Sequence, residues 1–204
     1  MIRICAAVIA LIGMSIGTPA SAGNVSDIGR LLTRAPLICG TFTQSKTLAA
    51  LTRPLVSTGK VIFASDTGVL WQITSPFPSQ ALVKEDALIR WDSENVPKRS
   101  GFGQTPQFRA LSDVFFAVFA GDTNRLAASF DTAANIGSES WSLNLKPRDS
   151  EFASRISSIY VSGGRFVEEL KITEGQGDRT DIQFKNLSAD GCVLSAAETD
   201  SLAQ

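Results

Sequence analysis

Beyond residue 126 the chain alternates apolar and polar residues in a series of short segments, and this pattern constrains the fold more than any other feature. The segments are 126–132 around Phe130, 140–146 with Trp141, Leu143 and Leu145, 156–161, 166–173 with Leu170 and Ile172, and 180–185 with Ile182 and Phe184. Period 2 is the signature of strands with one buried face. The separators are turn residues: 135–137, Gly163 with Gly164, 175–178, and Asp190 with Gly191. The region therefore reads as strands only. An antiparallel sheet of this length has to curl into a sandwich or an open barrel to hide its apolar face.

The first half carries the same period. In 68–78, Val69, Trp71 and Ile73 fall on one side and Gln72 and Thr74 on the other, and Pro76 and Pro78 then stop the strand. The chain returns through Ala81, Leu82 and Val83 and again through Leu88, Ile89, Arg90 and Trp91. Two tryptophans on neighbouring strands gather a large apolar surface that is either core or pocket. Upstream, 38–47 around Phe42 and 58–64 with Val61 and Phe63 read as two more strands, with 65–68 as turn. Before them, Val25, Ile28 and Leu32 have helical spacing behind an Asn24 or Ser26 cap, and Pro36 ends that helix. Residues 92–103 read as a loop. Thr105 and Pro106 then open a second helix, with Phe108, Leu111, Val114, Phe115, Val118 and Phe119 as its apolar stripe, Phe116 widening it and Gly121 closing it. Such a helix is either a core layer or a lid. The expected total is nine to eleven strands and two helices.

The amino terminus reads as a leader rather than as part of the domain. Arg3, an apolar run through Ile16, and Ala20-Ser21-Ala22 have the layout of a signal peptide cleaved after Ala22, which leaves a single domain over 23–204 in an exported chain. Processing removes Arg3 and takes the formal charge from −1 to −2. With no basic stripe, nucleic acid is not expected as a partner. Removing Cys5 with the leader leaves Cys39 and Cys192, either a disulfide or two buried thiols. A bridge closing so long a loop contributes roughly 4 to 5 kcal/mol in the chain-entropy model.

The chain contains no histidine, which excludes the usual Ser-His-Asp and Cys-His catalysis and leaves too few ligands for a metal site. Glu168 and Glu169 are adjacent on a strand and point to opposite faces. Gly101-Phe102-Gly103 and Gly175-Gln176-Gly177 lack the strand-to-helix context of a phosphate loop. The chain reads as a non-enzyme that needs no cofactor.

In order, the leader, the short helix, Gly40-Thr41-Phe42-Thr43-Gln44, the strand from Trp71 to Pro76, the hairpin from Val83 to Trp91 and the Pro106 helix resemble the periplasmic lipoprotein carriers called LolA and their relative LolB. The resemblance covers essentially the whole chain after the leader. It implies a mainly β fold, a strongly curved, half-open antiparallel barrel of about eleven strands with helices plugging its mouth. It implies a monomeric carrier that shields the acyl chains of lipoproteins between an inner-membrane donor complex and an outer-membrane acceptor. Phe42, Phe63, Val69, Trp71, Ile73, Leu82, Ile89, Trp91, Phe115 and Phe119 would then line the lipid cavity. One departure stands out: the family's Arg-Pro pair, whose arginine holds the helical lid, is here Ser65-Asp66, and Arg53-Pro54 lies one strand too early to replace it. Arg53-Pro54-Leu55 and the stretch from Leu70 to Pro78 are similar to a divergent LolA-like branch found alongside aryl polyene lipid biosynthesis. On that reading the cargo is a polyene lipid, and a further alternative is a non-transporting periplasmic adaptor.

Overall fold

A computed structural model of the chain describes residues 21–101 and 106–204. The strands are β1 (Ser21–Gly23), β2 (Leu37–Thr47), β3 (Leu55–Ala64), β4 (Gly68–Ser75), β5 (Ser79–Val83), β6 (Ala87–Trp91), β7 (Pro97–Gly101), β8 (Phe130–Ile136), β9 (Trp141–Pro147), β10 (Ile156–Gly163), β11 (Val167–Glu174) and β12 (Arg179–Ser188). They form one antiparallel sheet in the order β1-β8-β9-β10-β11-β12-β2-β3-β4-β5-β6-β7. Its two ends, β1 and β7, do not pair with each other, so the sheet is curved but not closed, as the sequence led us to expect. β1 pairs with β8 and contains Ala22, so cleavage there would leave eleven strands with β8 at the edge.

Register decides which side chains share a face. Phe42 lies opposite Gly59, Val61 opposite Trp71, Phe63 opposite Val69, and Phe184 opposite Phe42, which puts the large aromatics of β2, β3, β4 and β12 on the inner face. A Cβ at Gly59 would come within 2.7 Å of the Phe42 ring and 1.9 Å of the Gln72 carbonyl, so only glycine lets Phe42 lie across β3. The alternate residues Ile62, Leu70, Leu82 and Ile89 form a second, outer cluster.

Helices cover both faces. α1 (Val25–Leu31), capped by the Asn24 side chain accepting from Ser26 N–H at 3.2 Å, and α2 (Pro106–Ala120) lie against the inner cluster. Gly121, at φ +70, ends α2 as expected. The Thr105 cap lies outside the described residues. On the outer face sits α5 (Ala196–Leu202), whose Leu202 packs on the Ile62 and Leu70 cluster. Cys39 and Cys192 are disulfide-bonded, with Cα atoms 5.6 Å apart, and tie the segment leading into α5 to β2.

The structure corrects two expectations about the elements. Residues 97–101 form the edge strand β7 rather than loop, and Pro97, Lys98 and Arg99 give that edge the residues that discourage further pairing. The region after 126 is not strands only: α3 (Leu126–Ser129) occupies the start of the expected strand, and α4 (Ser150–Arg155) and α5 are further helices. Their start signals are visible in retrospect. Asp149 caps α4 by accepting from Phe152 N–H at 2.7 Å, and Ser195 with Glu198 forms a capping box on α5.

Candidate functional site

The inner face holds a continuous aromatic cluster. Phe42 of β2 and Trp71 of β4 stack at 3.8 Å between ring centres across the intervening strand β3, where Gly59 leaves the space. Trp71 meets Phe184 edge-on at 6.0 Å and Phe115 of α2 at 5.9 Å. Phe119, one turn further along α2, meets Phe184 at 5.7 Å and stacks on Phe63 at 5.9 Å. The i, i+4 spacing of Phe115 and Phe119 is what puts both rings in one column on the sheet. α2 is therefore seated in the sheet's concavity with its rings against the inner face.

Open space begins where that cluster reaches the surface. Pairing between β11 and β12 runs from Thr173 and Arg179 to Glu169 and Gln183; beyond it Val167, Glu168 and residues 184–187 line a hollow of about 740 Å³. Leu31, Phe166, Val167, Phe184 and Leu187 supply its apolar wall, and all five also pack in the inner cluster. Arg165, Glu139, Glu168 and Lys185 are the charged lining. Phe184 is the shared wall, since it contacts Trp71 and Phe119 on one side and the hollow on the other.

α2 is held at its end as well as along its buried face. Arg34 donates through Nη2 to the carbonyl of Gly29 in α1, at 3.5 Å, and to that of Gly121 at the end of α2, at 3.4 Å. The helices touch closely here, for a Cβ on Gly29 would come within 2.8 Å of the Gly121 carbonyl oxygen. Ser112 of α2 donates to the Lys84 carbonyl at 3.2 Å. The Arg125 guanidinium stands 5.3 Å from the Phe116 ring centre, and its hydrogen bond to Asp122, joined by one to Glu85, raises its pKa further. Ser65 and Asp66, the positions of the missing Arg-Pro pair, bond one another in the β3–β4 turn.

The expected site residues divide between the two faces. Phe42, Phe63, Val69, Trp71, Ile73, Phe115 and Phe119 come together in the inner cluster. Leu82, Ile89 and Trp91 do not: they belong to the outer cluster beneath α5, because Val83 rather than Leu82 lies opposite Val69. Phe184, Phe166, Leu31, Leu187 and Arg34 were not anticipated. For Phe184 the signal was present, an apolar residue two positions from Ile182 on a strand. For Arg34 there was none, as the acceptor that links it to α2, the Gly121 carbonyl, lies 87 residues away. Among the described residues, no group of three His, Cys, Asp or Glu side chains is placed to hold a metal ion.

An unclosed antiparallel barrel with an amphipathic helix in its concavity defines a class of proteins organised around an apolar groove. This chain belongs to one family in that class: over residues 17–204 it matches the model of the outer membrane lipoprotein carrier protein LolA-like family. No curated protein matches it. Similar solved structures include a LolA superfamily protein from Nitrosomonas europaea at 9% identity, covering 83% of this chain and 93% of that one with a TM-score of 0.47. A DUF1329 family protein from Desulfovibrio piger has 12% identity over 88% and 96% of the two chains and a TM-score of 0.49. A putative outer membrane lipoprotein-sorting protein domain from Vibrio parahaemolyticus has 10% identity over 89% and 100%, with a TM-score of 0.45.

Proposed function

We propose that the protein is a periplasmic carrier that shields the acyl chains of lipoproteins between the inner and outer membranes, taking them from a donor complex and passing them to an acceptor. The observation that carries this reading is that the hollow borders the inner aromatic cluster, with Phe184 as the wall they share. Exposing an acyl chain to water costs about 0.8 kcal/mol per methylene, so a soluble carrier must offer it a dry apolar groove. In the empty protein Phe115 and Phe119 keep that groove dry. A guest entering at Phe166 and Leu187 displaces them, and α2 swings away once the Arg34 contacts to Gly29 and Gly121 give way. No step needs covalent chemistry. The divergent Ser65-Asp66 turn is compatible with a non-protein lipid, such as a polyene, as the cargo.

A second reading is favoured by the same filled groove: an adaptor whose concavity is packed for good by α2. Mass spectrometry of organic extracts from the protein purified out of its native compartment separates the two. A carrier yields an acylated peptide or a lipid that a Trp71→Glu variant lacks. An adaptor yields neither, and its α2 stays protected from hydrogen exchange when acylated peptide is added.

A further inference from the structure

The hollow beside Phe184 is built by two irregularities of the sheet. In β11, Glu169 lies opposite Ser162 and Val167 opposite Gly163, which leaves Glu168 as an extra residue with no partner on β10. In β12, Lys185 lies opposite Thr41 and Ser188 opposite Cys39, so three steps along β12 match two along β2, and Asn186 adopts the left-handed conformation there at φ +55. Bulges of this kind bend a strand and re-aim its side chains. Both fall where pairing between β11 and β12 ends, at Glu169 and Gln183. Leu187 is turned down onto Gly40, where a Cβ would come within 2.5 Å of its Cδ2, and becomes part of the apolar wall.

Four charged side chains line the same hollow, two of each sign: Arg165 and Lys185, Glu139 and Glu168. None of them forms an ion pair among the described residues. Charges elsewhere on these strands do pair, Lys171 with Glu169 at 2.8 Å and Lys46 with Glu174 at 3.0 Å. The Glu139 backbone and the Glu168 carboxylate both border Gly164, where a Cβ would lie 2.8 Å from the Glu139 carbonyl oxygen and 3.8 Å from Glu168 Oε1. Lys185 stands on β12, across the gap between the strands. We infer that the hollow holds the head group of a zwitterionic phospholipid, its phosphate on Arg165 and Lys185 and its ammonium on Glu139 and Glu168. The inference rests on the reading of the concave face as an acyl-chain groove and names a guest for it. Guanidinium and ammonium groups suit phosphate oxygens, and carboxylates suit an ammonium. A purely anionic head group would set its charge against two carboxylates, and an uncharged one would use none of the four. The volume, about 740 Å³, is that of a small-molecule site, and Phe184 joins it to the cluster where the acyl chain would lie.

The test is calorimetric titration of the protein with three lipids that share one myristoyl chain: lysophosphatidylethanolamine, lysophosphatidylglycerol and monomyristoylglycerol, each below its micelle concentration. The zwitterionic lipid should bind about tenfold more tightly than the uncharged one, the sum of several exposed charge contacts, and more tightly than the anionic one. Arg165→Gln with Lys185→Gln should weaken both phospholipids and leave monomyristoylglycerol unchanged. Glu139→Gln with Glu168→Gln should weaken the zwitterionic lipid alone and remove its advantage over the anionic one. All four side chains are exposed, so both double variants should melt with wild type. Equal affinity of wild type for the three lipids, tighter binding of the anionic than of the zwitterionic lipid, or double variants that bind like wild type overturns the head-group inference and leaves the groove reading standing. Failure of all three lipids to bind overturns both.

Discussion

Replacing Arg34 with methionine keeps the aliphatic stem and removes the two hydrogen bonds that join the end of α2 to α1. At 3.4 and 3.5 Å these bonds are long, so each belongs at the weak end of the usual range, about 0.5 kcal/mol. Together they favour the closed arrangement by about 1 kcal/mol, which is about a fivefold shift in the ratio of seated to displaced α2. If α2 must leave before a guest enters, apparent affinity is set by the fraction already open and rises by that same factor of about five. Two measurements read the effect in one variant. Hydrogen exchange of the α2 amides should accelerate about fivefold while strands β9 to β12 remain as protected as in wild type. Titration with a fluorescent fatty acid should show a Kd about fivefold lower. Faster exchange spread evenly over the sheet would show that Arg34 supports the whole fold rather than the seat of α2. Unchanged exchange in α2 together with an unchanged Kd would refute the clasp outright.

Further expectations follow from the same contacts. Leu82→Ala, fully buried in the outer cluster, should destabilise the protein by about 2–4 kcal/mol in urea titration and leave fatty-acid Kd unchanged, because its side chain faces α5 and not the groove. Phe115→Ala should instead change binding, loosening α2 over Trp71 and raising affinity while costing about 3–5 kcal/mol of stability. The carboxyl of Glu198 is subject to burial, which raises its pKa, but the hydrogen bonds from Lys60 and Ser195 outweigh that and hold it below the ordinary glutamate value. A lowered folded pKa means the stabilisation is complete above the unfolded glutamate range and is lost as pH falls through that range to the folded value. The melting temperature should therefore drop with acidification below about pH 4.5, and Glu198→Gln should flatten that acid limb. Cys192→Ser should lower stability by about 5 kcal/mol in the chain-entropy limit, with less if the unfolded chain is compact.

The strands and their inner faces were legible because they rest on local alternation. Val69, Trp71 and Ile73 alternate with polar residues within a single strand, and no partner is needed to see that they share a side. α2 was legible for the same reason, since its stripe and its terminal glycine lie within one turn of each other. β7 was missed because Pro97-Lys98-Arg99-Ser100-Gly101 has no apolar face; it is a strand only because β6 offers it a ladder. The short helices α3 and α4 were missed because four- and six-residue elements have no period long enough to read. Leu82, Ile89 and Trp91 were placed on the wrong face because alternation does not carry across a turn. A one-residue change of register exchanges the faces, and here Leu82 pairs with Leu70 rather than Val69.

The chain's local chemistry was enough to specify an antiparallel sheet too long to remain flat, an aromatic amphipathic helix to cover it, and two cysteines available for a bridge. These depend on spacing along the backbone, which the order of residues contains. Which rings meet, where the groove opens and what holds α2 depend on contacts between distant segments. Phe42 reaches Phe184 through the pairing of β2 with β12, and Arg34 reaches Gly121 only after α1 and α2 have docked. Such contacts are selected by packing and register over the whole sheet, and no stretch of sequence contains them by itself.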